Sequence, residues 1–412
     1  MTASGMPAAG ARGRVRSPVG LLITTVAATT VALGLATGTG PLVGPVAAEF
    51  GVSTAAVSLM FSATLCAMLG AGVFTGPLAE RHGTRRLLLL GVLLIPAGLL
   101  APVFGDAFPA AAVGFALGVG GGAGCLFVPL LAAVGVAFHR HHGPALVLAT
   151  AGGGAGVIIV PPATVALIGT LGLRGALVVL AAGAALVLGL CAAVAPADRV
   201  TGSSVVTRSD ARSLFRDPTF RMHYLGSVGL TAAMFVPFVH LPGYATTSGH
   251  GPASGAALVA LSGVVSLVSR LAVAPVVARR GSWRISLFAA ALLAASVALM
   301  PLGGGDLVLL TAFAAIFGAA HGAYVGLSPA VAAQLHGVDG LGLRLGLLHT
   351  AAAIGGLAGP STAGLAVDMT GAPGAGMAVA AALGLLGCSA LAILHRRRLP
   401  RGRAAGTLVP CR

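Results

Sequence analysis

Few residues of this chain could do chemistry, and most of them sit where a polar group is costly. Arg270 lies in the run Leu261-Ser-Gly-Val-Val-Ser-Leu-Val-Ser-Arg270-Leu, more than two helical turns before Arg279. A permanent charge in so apolar a stretch is destabilising by several kcal/mol unless something compensates it, which makes the position a functional candidate. The planar guanidinium fork suits a carboxylate. The plainer readings are a head group snorkelling to the water interface or a structural ion pair. His240, His321 and His349 also fall in apolar runs. Imidazole titrates near working pH, so each is a candidate proton carrier, or simply a hydrogen-bonding group between helices. His321 and Tyr324 are three apart and share a helix face. Arg270, His240, His321, Tyr324 and His349 therefore form the candidate substrate-binding set, and no residue pattern offers a catalytic group or a metal site.

The elements that must position these side chains are membrane spans. The chain has 412 residues, 57% hydrophobic and 8% charged, far from the roughly 25% charged residues of soluble domains. The net charge of +15 does not point to nucleic acid, because such a footprint gathers basic residues and aromatics on one soluble face. Here arginines punctuate apolar runs. About 20 mostly apolar residues cross a bilayer as helix, and twelve such stretches are present: 19–45, 54–78, 85–104, 109–136, 145–169, 173–196, 222–246, 254–278, 285–302, 307–335, 345–367 and 372–394. The fold class predicted is an all-α membrane protein of two six-helix bundles, 19–196 and 222–394, flanked by a tail at 1–18, a linker at 197–221 and a tail at 395–412. With both termini and the linker in the cytoplasm, every arginine except Arg174 and Arg270 falls in a cytoplasmic segment, as short inner loops require. A multi-pass protein of the cytoplasmic membrane follows.

The halves repeat each other. Gly76 to Arg86 (GPLAERHGTRR) echoes Ala274 to Arg284 (APVVARRGSWR), and Thr150-Ala151 echoes Thr350-Ala351. Parallel halves place a substrate site between them near the bilayer midplane. The first copy, with Gly76, Glu80, Arg81, Gly83, Arg85 and Arg86, closely resembles the loop signature of the major facilitator superfamily, Gly-x-x-x-Asp-Arg-x-Gly-x-Arg-Arg. An acid at a helix end can latch onto arginines and a neighbouring helix end. Glu80 stands where the family has Asp, and Ala278 takes the acid's place in the second copy.

Further segments resemble the monocarboxylate-porter branch, including the oxalate:formate exchangers. They are Phe50-Gly-Val-Ser, Phe138-His-Arg-His-His-Gly143, Gly172-Leu-Arg174-Gly, Phe235-Val-Pro-Phe-Val-His240-Leu-Pro, Gly355-Gly-Leu-Ala-Gly359-Pro360 and Asp368-Met-Thr-Gly371. The resemblance implies an arginine at Arg270 that holds the substrate carboxylate. It also marks two departures. Proton-coupled members carry an aspartate one turn before that arginine, where this chain has Ser266, and a lysine in the first span, where the run from Gly34 to Pro45 has no basic residue.

Other classes fit less well. Gly118 to Gly124 is glycine-rich but follows no strand, so it is no nucleotide loop. Gly303 to Asp306 matches the Gly-x-Gly-Asp of intramembrane aspartyl proteases, yet no Tyr-Asp pair supplies the second carboxylate. The five cysteines form no Cys-x-x-Cys pair. The expectation is a secondary transporter of a small organic anion, a monocarboxylate, working by alternating access without a cofactor and with protons as a candidate coupling ion. The alternative is a proton-coupled drug or metabolite exporter of the same superfamily.

Overall fold

The computed structural model describes residues 18–37, 39–138, 141–195, 208–250, 252–300 and 304–398. Most of the expected N-terminal tail, the first part of the linker including Arg199, Arg140 and the end of the C-terminal tail lie outside the described residues. Among those described, regular structure is helical throughout. The first half contains α1 (Pro18–Thr37), α2 (Val43–Phe50), α3 (Thr54–His82), α4 (Thr84–Phe104), α5 (Phe108–Phe115), α6 (Gly122–Ala137) and α7 (His142–Val194). Inside the expected linker is a short helix, α8 (Arg208–Arg216). The second half contains α9 (Pro218–Thr247), α10 (Pro252–Arg280), α11 (Ser282–Leu299), α12 (Leu307–His336), α13 (Leu341–Thr370) and α14 (Pro373–Arg398).

Within hydrocarbon a helix must satisfy its own polar groups, and the hydroxyls in the spans do so. Thr25, Thr29, Thr30 and Thr64 each bond the carbonyl four residues back, at 2.7 to 2.9 Å. Helix starts are capped by acceptors. Ser53 Oγ accepts from Ala56 N–H, and Asp217 Oδ1 accepts from Thr219 N–H. Asp306 Oδ1 accepts from the N–H groups of Val308 and Leu309, so the aspartate of the Gly-x-Gly-Asp match is the N-cap of α12. The outer surface is apolar: Leu59, Phe74, Leu93, Phe104 and Phe288 are each 69 to 76% exposed. Only lipid makes such a surface tolerable.

One boundary differs from expectation, and one span at its expected place is irregular inside. The first span ends at Thr37, and a short 3₁₀ turn at Gly40–Leu42 leads into α2, because Pro41 has no N–H to continue the helix ladder. The fourth span is one helical run in three parts, α5, a stretch of wider π-type turns at Ala116–Gly121, and α6. Its glycines serve packing. A Cβ on Gly118 would collide with Gly98, and one on Gly120 with the carbonyl of Thr64.

Among the described residues, eleven helices are long and apolar enough to cross a membrane, and α7 does so twice. Gly152 packs against Val26 and Thr29 of α1, while the Cys191 thiol donates to the carbonyl of Thr24 on the same helix. In one straight helix residues 39 apart would stand about 58 Å from each other. The chain therefore turns back midway, at Gly172, whose φ of 69° and ψ of 178° break the helix. A positive φ is a conformation that glycine adopts without penalty. Twelve crossings result, six on each side of α8.

The internal repeat is visible in the backbone. Gly83, at the corner between α3 and α4, has φ 86° and ψ 150°, and Gly281, at the corner between α10 and α11, has φ 76° and ψ 154°. Both corners belong to the arginine-rich end of the molecule, with Arg81, Arg85 and Arg86 on one and Arg279, Arg280 and Arg284 on the other.

Candidate functional site

The halves meet along two seams, both toward the arginine-rich end. In the first, α3 lies against α13. A Cβ on Gly76 would collide with the carbonyl of Gly342, and one on Gly346 with that of Gly72. This approach brings Glu80 to the first turn of α13, where its Oε1 accepts from the N–H of Gly342 at 3.1 Å. The free N–H groups at a helix start favour a carboxylate. Glu80 Oε2 is buried without a hydrogen-bond partner among the described residues. The cation whose charge acts on Glu80 is Arg344, which also donates to the carbonyls of Gly337 and Asp339 at 3.3 and 2.6 Å. Arg81, Arg85 and Arg86 are exposed. Of the signature residues, then, Gly76 and Glu80 form the crossing between halves, Gly83 forms the corner, and the three arginines coat its surface.

The second seam joins α7 to α10. Val277, 5% exposed, covers Gly143 at the start of α7. About two turns deeper, Arg270 donates from Nη1 to the main-chain carbonyl of Thr150 at 3.2 Å. Arg270 is 9% exposed, so the head group has not snorkelled to the interface. Its Nε is buried and has no partner, and no carboxylate pairs with the guanidinium among the described residues.

Small residues make room for this arrangement. Along the contact between α10 and α12, Ser262, Ser266 and Arg270 face Gly318, Gly322 and Gly326 in turn, a four-residue spacing that keeps one face of each helix in register. His321, beside Gly322, hydrogen-bonds through Nδ1 to Ser266 Oγ at 3.1 Å, one turn from Arg270. Its ring is packed edge-on against Phe238 of α9, with centroids 5.2 Å apart, and stacked over Phe317 at 6.0 Å. Arg270, Ser266 and His321 thus form a polar end beside an aromatic wall. A charged donor fork, a hydroxyl and an imidazole can orient a carboxylate, and the rings can hold its apolar body.

The other candidates are placed elsewhere. Tyr324 is 8% exposed and lies against Ser227 of α9 and Cys388 of α14, inside the second half. His349 donates from Nδ1 to the carbonyl of Leu345, at 2.7 Å, and meets Phe127 of α6 edge-on at 5.1 Å. It therefore sits at the junction of the halves. His240 bonds the carbonyl of Pro360 through Nε2 at 3.2 Å, near the opposite end of α9. By helical rise it is about 18 Å further from the arginine-rich end than Arg270. The geometry brings His321 to Arg270 and leaves His240 apart.

Sequence reasoning missed Thr150 as the partner of Arg270 and Phe238 and Phe317 as the walls of His321. The echo of Thr150 in Thr350 was the one available signal: Thr350 Oγ1 also bonds across helices, to Tyr224 OH at 3.0 Å.

The sequence profile of the Major Facilitator Superfamily matches residues 25–314, more than half of the chain. The chain belongs to that superfamily. Major facilitator proteins are transporters that carry small molecules across membranes, and their relatives here are transporters rather than enzymes. The MFS transporter asaE of Aspergillus flavus is 27% identical over 347 residues, covering 84% of this chain and 78% of that protein. Monocarboxylate transporter 11 of Mus musculus is 30% identical over 309 residues, covering 71% of this chain and 68% of that one. Among solved structures, the human organic anion transporter MFSD10 superposes with a TM-score of 0.73 at 16% identity, over 91% of this chain and 99% of the other. The likeness confirms the major facilitator fold of two six-helix bundles.

Proposed function

We propose that this major facilitator protein carries a small organic anion, a monocarboxylate with an apolar body, across the cytoplasmic membrane by alternating access between its halves. The observation that carries the reading is the buried Arg270, whose guanidinium has, among the described residues, a neutral carbonyl for company, a free Nε and no carboxylate. A buried cation is costly when unpaired, and a substrate carboxylate would complete it. Monocarboxylate transporter 11 is among the relatives, and the aromatic wall of Phe238 and Phe317 suits the remainder of such a substrate. The arginine-rich end is the cytoplasmic face by the distribution of positive charge, and both seams close there, so the site faces outward. Protons are the candidate coupling ion. Ser266 stands where proton-coupled relatives have an acid, which leaves His321 as the titratable side chain bonded beside Arg270.

The test is thermal stability of the purified protein and of Arg270→Ala against a panel of small carboxylates and cationic or neutral drugs. A ligand that binds only the folded state stabilises by about 2.7 kcal/mol at a hundredfold excess over Kd. Stabilisation by carboxylates that disappears in Arg270→Ala is expected. Stabilisation by drugs alone, or by carboxylates equally in both proteins, would remove Arg270 from the site and favour the exporter.

A further inference from the structure

Arg270 belongs to the second half, and its hydrogen-bond acceptor belongs to the first. The carbonyl of Thr150 on α7 receives Nη1 at 3.2 Å, and the Thr150 hydroxyl lies 3.5 Å from the carbonyl of Gly326 on α12. A single residue of the first half therefore meets two helices of the second, about 15 Å along α10 from its arginine-rich end. The approach is possible because neighbouring positions are bare. A Cβ on Gly154, one turn after Thr150, would stand 2.9 Å from Leu267 and 3.8 Å from Nη1, and one on Gly326 would stand 3.1 Å from the Arg270 stem. For the site to face the other way, α7 and α10 must part along this seam, and the bond must break. In the empty protein the bond must break before the parting seam admits water, and at that point a desolvated cation stands without a partner, the costly case for a buried polar group. A carboxylate bound to the guanidinium removes that penalty, since it pairs the charge and can accept two parallel N–H bonds where the carbonyl accepts one.

We propose that the bond from Arg270 to the Thr150 carbonyl locks the two halves in the empty carrier, and that a bound carboxylate takes over the guanidinium so that the loaded carrier reorients readily. This rests on Arg270 being the anion site, and it adds a second role: the residue that recognises the substrate also reports its presence to the other half. Empty carriers then return slowly, and exchange of anions outpaces net flux.

The lock is tested by cysteine accessibility. Cys66, Cys125, Cys191, Cys388 and Cys411 are replaced by serine, and Val277→Cys, buried on the α7 to α10 seam, reports its opening to a maleimide. Leu188→Cys, fully buried within the first half, reports general loosening. With Arg270→Gln, the ligand-free rate at position 277 is expected to rise about tenfold while the rate at 188 stays. In the Arg270 protein, lactate is expected to raise the rate at 277, and the neutral lactamide to leave it unchanged. An unchanged ligand-free rate in Arg270→Gln, or an equal rise at both positions, overturns the lock. Should Arg270→Gln fail to fold, the lactate arm decides. Lactate that stabilises the protein thermally without changing the rate at 277 overturns the lock and leaves the anion site standing. A faster ligand-free rate in Arg270→Gln, with no carboxylate stabilising the Arg270 protein, leaves the bond between the halves standing but removes the anion site and overturns release of the lock by a carboxylate.

Discussion

The proposed anion site can be probed at the side chain one turn before Arg270. Ser266 precedes Arg270 by one turn, and its hydroxyl is engaged with His321 rather than with the guanidinium. Ser266→Asp would set a carboxylate within reach of the arginine on the same helix face. That internal anion should compete with the substrate. Carboxylate affinity is expected to fall at least about tenfold, as read by calorimetry, while the ligand-free melting temperature holds or rises because the buried cation gains a partner. A drop in melting temperature with affinity unchanged would show that position 266 is not turned toward the site. Arg270 itself was legible in the sequence, since a charge inside an apolar run stands out whatever surrounds it. Its acceptor was not. Thr150 uses its main chain, and a carbonyl carries no residue-specific signal. Tyr324 and His321, three positions apart, reach Ser227 and Ser266 on different helices, because sharing a face does not settle which neighbour each side chain meets.

Among the elements, α3 and α13 form the tightest crossing between halves. A methyl group on Gly76 has nowhere to go except into the carbonyl of Gly342. Gly76→Ala should therefore push the two helices apart, lower stability by about 1 to 3 kcal/mol in a reversible unfolding assay, and lengthen the bond from Gly342 N–H to Glu80. If the variant melts like the parent, the crossing is looser than described. The elements themselves were largely predictable: length and hydropathy gave twelve crossings, and the repeated loop gave the two matching corners at Gly83 and Gly281. The early end of α1 at Thr37 was not foreseen, since Gly40 and Pro41 sit in a run as apolar as the helix before it. Rotation of each helix was also hidden. Spans that are apolar all round offer no polar stripe from which to read the face turned inward, so the role of His349 against Phe127 needed the packed structure.

The whole molecule is organised by its arginine-rich end, where both seams and both repeat corners lie. If that end is cytoplasmic, epitope tags at the two termini of right-side-out vesicles should both be shielded from added protease until the membrane is permeabilised. Digestion of either tag before permeabilisation would invert the assignment. The two seams are related by the internal repeat but differ in chemistry. On one side Glu80 grips a main-chain N–H amid bare glycines. On the other, Ala278 replaces the acid, and the connection falls to Arg270 and Thr150. Kinetic parameters should divide along the same line. Changes at Gly72, Gly76 or Gly342 should act chiefly on turnover, because the proposed anion site around Arg270 lies on the other seam. Changes around Gly154, Thr150 or Gly326 move turnover and half-saturation together, so a carrier of this design can be tuned for speed on one flank and for appetite on the other.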